Sequence, residues 1–206
     1  MSAGPRFSIV VASYLFNYPN SAKNREWKFT RAIESAINQT FKDFEIIIVA
    51  DGCIRTRALY DRLYSKFQFI TLVEIDKQPL YSAAVRNTGI EHSNGQYITY
   101  LDTDDMIGRN HLASINECLS SFDWVWYDDY LMDNNFKHHY NKCDLKHGKC
   151  GTSNITHKRD LSVRWSRNGY ANDDWGFIQS LMNLPDHTKI PAPEYFICHQ
   201  PRRVDV

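Results

Sequence analysis

GQYITYLDTDD, residues 95–105, joins the strand-like run Gln96–Leu101 directly to three aspartates, Asp102, Asp104 and Asp105. A short run rich in β-branched and aromatic residues, bounded by polar residues, predicts a buried strand. The aspartates then lie at the carboxyl end of that strand. In open α/β sheets this end of the strands is where ligands bind.

Upstream of this stretch, strand and helix signals alternate. Continuous apolar runs predict strands at Phe7–Ala12, Phe44–Ala50 and Phe69–Ile75. Apolar residues at helical spacing predict helices at Arg25–Phe41, Ala58–Phe67 and Leu80–His92. Such alternation implies crossover connections, and therefore an α/β fold of Rossmann-like type with a mainly parallel or mixed sheet flanked by helices.

The second half of the chain is less regular. Asp123–Met132 predicts a strand, Asn134–Gly151 a polar loop, Asp173–Asn183 a helix and Tyr195–Cys198 a short last strand. The sequence shows no internal repeat and no clear linker. The 206 residues suit one compact domain, which we predict over residues 1–206.

Composition limits the classes of function. The chain is 43% hydrophobic and has a formal net charge of 0, which is unlike a globally basic nucleic-acid binder. Its 5 cysteines are scattered, and no secretory segment opens the sequence, so we predict free thiols and a cytoplasmic location. No apolar stretch approaches the roughly 18 residues of a membrane span.

Three clustered carboxylates at a strand end repel one another unless they are neutralised. A bound Mg²⁺ or Mn²⁺ removes that repulsion, and it prefers one or two carboxylates together with phosphate oxygens and water. A nucleoside diphosphate supplies such oxygens. The alternative is structural: the aspartates could cap a helix that begins near Arg109.

Two other polar motifs end predicted strands, namely Ser13-Tyr14 and Asp51-Gly52. The carboxyl ends of parallel strands lie along one edge of a sheet, so these motifs and the acidic turn, Asp102–Asp105, should converge there. This convergence favours a ligand site over a helix cap.

With these motifs in place, the sequence resembles the inverting family 2 glycosyltransferases of the GT-A fold. Four blocks carry the resemblance, in the family's order: SIVVASY at Ser8–Tyr14, NQTFKDFEIIIVADG at Asn38–Gly52, AAVRNTGI at Ala83–Ile90 and GQYITYLDTDD at Gly95–Asp105. The resemblance implies a nucleotide-sugar-binding half at residues 1–105 and an acceptor-binding half at 106–206. It also implies a nucleoside-diphosphate sugar as donor, most often a UDP-sugar, and Mn²⁺ or Mg²⁺ as cofactor.

The resemblance assigns roles to single positions. Ala12, Ser13 and Tyr14 would contact the base and ribose, and Asp51 would accept a hydrogen bond from the base. It also implies that Arg86 lies near the diphosphate or donor sugar, that Asp104 lies at the ribose or metal, that Asp105 is a direct metal ligand and that His199 belongs to the metal shell. Asp102 is a further candidate metal ligand from the chemistry of the acidic turn. His199 could equally be a packed or solvated residue.

An inverting transfer needs a general base for the acceptor hydroxyl. Asn172-Asp173-Asp174-Trp175 resembles the family's acidic pair at the start of a helix, which makes Asp174 the predicted base and Asp173 the reserve. Helix capping is the structural alternative, and both roles can hold at once.

Other functions stay open at this stage. A nucleotidyltransferase would usually carry a Gly-rich basic loop near the first strand, which SYLFNYPN at residues 13–20 lacks. A non-catalytic nucleotide-sugar or carbohydrate-binding module would keep the acidic turn but not turn over its ligand. The acceptor is a glycan or another hydroxyl compound. Neutral charge disfavours a nucleic-acid acceptor without excluding it. A homo-oligomer also stays open.

The predicted loop Asn134–Gly151 is rich in histidine and lysine. Its His138, His139, Cys143, His147 and Cys150 fit no standard zinc spacing, so we favour an acceptor-side loop over a zinc site.

Overall fold

The structure is a computed structural model, and it describes residues 4–19, 21–79, 82–119, 122–133, 135–166, 173–191 and 193–198. Within them lie five α-helices: α1 Arg25–Ile37, α2 Ile54–Leu63, α3 Ala83–Glu91, α4 His111–Cys118 and α5 Asp173–Met182. The strands of this part are β1 Phe7–Ser13, β2 Phe44–Asp51, β3 Ile70–Ile75, β4 Tyr97–Tyr100, β5 Met106–Ile107, β6 Trp124–Tyr127, β7 Asp129–Met132, β8 His138–Asn141, β9 Ile155–Lys158, β10 His187–Ile190 and β11 Tyr195–Ile197.

The larger sheet of the described chain has the strand order β10-β6-β9-β4-β1-β2-β3. β1 pairs in parallel with both β2 and β4, and β2 pairs in parallel with β3. β9 is antiparallel to its neighbours β4 and β6. The predicted α/β class, with a mainly parallel mixed sheet, is confirmed. A smaller sheet has the order β5-β11-β7-β8.

Helices cover both faces of the larger sheet because β1 is apolar on both sides. Phe7, Ile9 and Val11 share one buried cluster with residues of α1 and α4. Val10 belongs to a second cluster, which includes residues of α5. A strand buried on both faces needs a continuous apolar run, and FSIVVA supplies it.

Two glycines allow close approaches near the ligand-binding edge of the sheet. A Cβ on Gly89 of α3 would lie 2.4 Å from Val10 Cγ1, so only glycine lets this helix pack against the strand. Gly52 adopts a φ of 59° just after β2. That left-handed conformation turns the chain directly behind Asp51.

The prediction of one strand over Asp123–Met132 is wrong. The run is split at Asp128 into β6 and β7, which belong to different sheets. Asp128 is buried, accepts hydrogen bonds from the Cys143 N–H and the Tyr140 hydroxyl, and pairs with Lys189 at 2.6 Å. These partners hold the carboxylate inside and let the chain cross between the sheets.

The predicted loop Asn134–Gly151 contains an unpredicted strand, β8, which pairs with β7 along His138–Asn141. Its residues are polar and half exposed, so no apolar run marks it. The short strands β5, β9 and β10 were also not predicted. Among the described helices, none combines the length and the apolar character that a membrane span requires.

Candidate active site

A cavity of about 1250 Å³ opens at the carboxyl ends of β1, β2 and β4. Nine of the residues predicted to form the site line it, and they come from five separate stretches of sequence: Ala12, Ser13, Tyr14, Asp51, Arg86, Asp102, Asp104, Asp105 and Asp174. The parallel pairing of β1 with β2 and β4 brings their ends to one edge, as predicted.

The acidic turn is a hydrogen-bonded turn, since the Asp105 N–H donates to the Asp102 carbonyl at 3.1 Å. Asp105 is only 4% exposed. Its two carboxylate oxygens accept from the Cys198 N–H at 2.8 Å and from the Tyr195 hydroxyl at 3.1 Å. Tyr195 also accepts the Asp102 N–H at 3.2 Å. Strand β11 and the adjacent Cys198 therefore fix the acidic turn through these hydrogen bonds.

The alternative reading of the turn as a helix cap does not fit this geometry. Strand β5 separates the turn from α4, which begins at His111 with Asn110 at its N-cap position. The three aspartates therefore do not cap helix α4.

Electrostatics at the turn favour a cation. Burial raises the pKa of Asp105 well above its ordinary value, and the charges of Asp104 and Asp102 raise it further. Burial likewise raises the pKa of Asp102, although Arg86 opposes this effect. Such mutual repulsion is relieved by a divalent ion.

In the described part of the chain, no group of three or more His, Cys, Asp or Glu side chains is arranged around a common metal position. A Mg²⁺ or Mn²⁺ site that takes only one or two protein carboxylates would complete its shell with phosphate oxygens and water. His199, the other predicted ligand, lies outside the described residues. Its neighbour Cys198 contacts Asp105 directly.

Arg86 links the acidic turn to the predicted base. Its guanidinium, 9% exposed, lies 3.1 Å from Asp102 and 3.5 Å from Asp174. Its Cζ lies 4.8 Å from the centre of the Trp165 ring. Burial lowers the pKa of Arg86, but the charges of Asp102 and Asp174 raise it by more. The guanidinium group therefore stays positively charged.

Asp174 lies in the first turn of α5 and lines the cavity. Its Oδ1 accepts from the Thr152 hydroxyl at 2.9 Å and from Arg86. Among the described residues, no donor contacts its Oδ2, which faces Gly151. One oxygen of the carboxylate is therefore held and the other is available.

Asp51 forms the predicted base-recognition end. It is 5% exposed, and its oxygens accept from Lys77 Nζ at 2.7 Å and from the Gln78 N–H at 2.6 Å. Lys77 also lies 4.7 Å from the centre of the Tyr14 ring. Ser13 is turned inward and shares a hydrogen bond of 2.8 Å with Thr56, so its main chain, rather than its hydroxyl, faces a ligand.

Several residues of this site were not predicted from the sequence. Lys77 could have been found, because it follows β3 at the same edge as Asp51. Tyr195 and Thr152 carried no signal, since their roles depend on contacts with residues 90 and 22 positions away. A polar wall around Asp129, which accepts from Asn141 at 2.7 Å and Asn154 at 2.8 Å, was also missed.

Comparisons with known proteins bear on the family and the fold of the chain. The model of the family described as Glycosyl transferase family 2 matches residues 21–164. Glycosyltransferase GlyA of Streptococcus pneumoniae is 28% identical over 92 residues, which are 45% of this chain and 13% of that protein. Minor teichoic acid biosynthesis protein GgaB of Bacillus subtilis is 29% identical over 111 residues, 53% of this chain and 11% of that protein. The chain spans less than half the length of the first curated relatives it matches.

Solved structures show the same fold. TarS 1-349 of S. aureus in complex with UDP-GlcNAc superposes with a TM-score of 0.72 at 16% identity, covering 93% of this chain and 58% of that one. Mannosyltransferase PcManGT of Pyrobaculum calidifontis in complex with GDP-Man and Mn²⁺ gives a TM-score of 0.68 at 16% identity, covering 98% and 59%. The fold is therefore of the predicted GT-A type.

Proposed function

Because the chain belongs to glycosyltransferase family 2, we propose that it transfers a sugar, with inversion, from a nucleoside-diphosphate sugar to an acceptor hydroxyl. One observation carries the proposal. Residues predicted separately to bind nucleotide, diphosphate and acceptor proton line a single cavity of about 1250 Å³. A volume of this size accommodates a nucleotide-sugar and part of an acceptor.

For the donor we propose a UDP-sugar. Asp51 accepts from Lys77 and a backbone N–H, and a carboxylate has about four lone-pair sites, so it can accept one more hydrogen bond from a base. A uracil N–H suits such an acceptor. The solved structures of similar fold carry UDP-GlcNAc in one case and GDP-Man in another.

For the cofactor we propose Mn²⁺ or Mg²⁺, held by Asp105 with Asp104 or Asp102 contributing. When bound, the ion would stabilise the negative charge of the departing diphosphate. Tyr195 and the Cys198 N–H hold the Asp105 carboxylate in one orientation, and Arg86 supplies a fixed positive charge beside Asp102.

For the general base we propose Asp174, with Asp173 as the reserve. The acceptor oxygen attacks the anomeric carbon, the bond from that carbon to the diphosphate oxygen breaks, and the acceptor proton passes to Asp174. Thr152 and Arg86 hold Oδ1, which leaves Oδ2 as the oxygen that takes the proton.

Donor hydrolysis tests the proposal. We expect Mn²⁺-dependent release of UDP from one member of a UDP-sugar panel, and loss of that release in Asp105→Ala. The matched control is Asp61→Ala, an exposed aspartate on α2 that does not line the cavity. Tight nucleotide-sugar binding without turnover would instead support a binding module. Release of pyrophosphate would support a nucleotidyltransferase. The anomeric configuration of the transfer product, read by NMR, tests inversion.

A further inference from the structure

The segment from residue 137 to residue 149 is locally basic in a chain of zero net charge. It contains four lysines, at positions 137, 142, 146 and 149, against a single acidic residue, Asp144. Two of these lysines, Lys142 and Lys149, line the active-site cavity on the side of the acceptor-binding half, whereas Lys137 and Lys146 do not. The segment therefore presents two of its positive charges to the site.

The backbone that carries Lys142 is fixed on both sides. Asn141 before it donates to Asp129 at 2.7 Å. Cys143 after it donates its N–H to Asp128 at 2.7 Å and accepts from Lys189 at 2.8 Å. Lys142 is thus held at one position although its side chain is exposed.

The backbone of Lys149 is fixed as well. Its carbonyl accepts the Asp144 N–H at 3.1 Å, and its own N–H donates to the Lys146 carbonyl at 3.0 Å. It also lies two residues before Gly151, where a Cβ would come within 3.5 Å of Asp174 Oδ2. The backbone of this exposed lysine therefore lies close in sequence to a residue that approaches the proposed base.

The other cations of the cavity are engaged by the protein. Arg86 pairs with Asp102 and Asp174, Lys77 pairs with Asp51, and Arg25 donates to the Tyr14 carbonyl. For Lys142 and Lys149, the described residues include no carboxylate within salt-bridge distance and no acceptor of a side-chain hydrogen bond. Two exposed ammonium groups at the cavity are therefore left to interact with an anion.

We propose that Lys142 and Lys149 bind an anionic group on the acceptor. The acceptor is then a hydroxyl compound that carries a phosphate or a carboxylate close to the hydroxyl that receives the sugar. This inference rests on the proposed function and names its substrate class. The donor diphosphate is the other anion expected in the cavity, and the divalent cation proposed at the acidic turn would bind it.

A binding experiment tests the inference without requiring turnover. Glucose 6-phosphate, glucuronate and glucose share a scaffold and differ in charge, so they serve as phosphate, carboxylate and neutral probes. We expect the protein, with UDP and Mn²⁺ present, to bind at least one charged probe about tenfold more tightly than glucose by NMR titration. The stronger of the two charged probes identifies the anionic group.

The double variant Lys142→Gln/Lys149→Gln should lose this preference, while Lys146→Gln, from the same loop but outside the cavity, should keep it. Equal binding of all three probes to the unaltered protein would overturn the inference. The inference would also be overturned if the double variant still bound the charged probe more tightly than glucose, or if Lys146→Gln lost this preference to the same extent. A parallel fall in UDP affinity would assign the lysines to the donor instead. If the protein bound the charged probe preferentially but did not hydrolyse any donor, the proposed function would be contradicted and the anion site would stand.

Discussion

Replacing Tyr195 by phenylalanine removes a single oxygen atom that holds two sides of the acidic turn. The hydroxyl accepts the Asp102 N–H at 3.2 Å and donates to Asp105 at 3.1 Å, and the side chain is 1% exposed. Burial and the charges of Asp105 and Asp102 raise the pKa of Tyr195 well above its ordinary value, so it stays a neutral donor.

The variant leaves a partly buried N–H of Asp102 and the buried carboxylate of Asp105 each short of one partner. An unsatisfied buried group costs about 1–3 kcal/mol, so we expect the free energy of unfolding to fall by about 2–4 kcal/mol. Groups that orient a metal ligand typically contribute about 10–100-fold to metal affinity. We therefore also expect Mn²⁺ to bind at least about tenfold more weakly in the presence of UDP.

Urea unfolding measures the first effect, and a Mn²⁺ titration followed by electron paramagnetic resonance measures the second. Tyr127→Phe is the matched control, since that buried hydroxyl bonds to Ile155 and Thr156 rather than to the turn. We expect the control to lose stability but not Mn²⁺ affinity. If Tyr195→Phe lost stability with Mn²⁺ affinity unchanged, Tyr195 would be a packing residue and the proposed metal position would be wrong.

Three further predictions concern other parts of the molecule. Asp174→Asn should lower kcat for transfer by about 10²–10⁴-fold with a much smaller change in donor KM, and a kcat within tenfold of the parent would exclude it as the base. Gly89→Ala places a methyl group 2.4 Å from Val10 Cγ1 and should destabilise the fold by about 1–3 kcal/mol, seen as a lower Tm. Burial lowers the pKa of His157 and of His111 to about 4 in the folded protein, below the value of about 6.5 in the unfolded chain. The stability that these neutral histidines contribute is therefore complete above about pH 6.5, and it is lost as the pH falls towards 4. Urea unfolding at pH 7 and pH 5 should show this loss, and His157→Asn should make the slope shallower.

Strand ends were the part of the site that sequence could predict. The apolar runs that precede Ser13, Asp51 and Asp102 are long enough to identify buried parallel strands, and the geometry of a parallel sheet then places their ends together. The aspartate at position 174 was also predicted, but only through resemblance to a family motif. Its contacts with Arg86 and Thr152 could not be read from spacing.

The second half of the chain was predicted less well for a physical reason. Strands β8 and β10 are short, polar and partly exposed, so they lack the apolar periodicity that marks the first four strands. Asp128 reads as part of a continuous strand because its neighbours are aromatic and β-branched. Its partners Tyr140, Cys143 and Lys189, all distant in sequence, reveal the break.

The contact between strand β11 and the acidic turn bears on how the protein acquires its activity during synthesis. Asp105 and its partner Cys198 are 93 residues apart, whereas β1, β2 and β4 belong to the first hundred residues. Contacts between distant segments form late, because the intervening chain must first be ordered. We therefore expect a ribosome-bound intermediate to hold the central parallel strands while its acidic turn still lacks the strand that orients it. The acidic turn would then reach the orientation described here only after strand β11 has emerged from the ribosome.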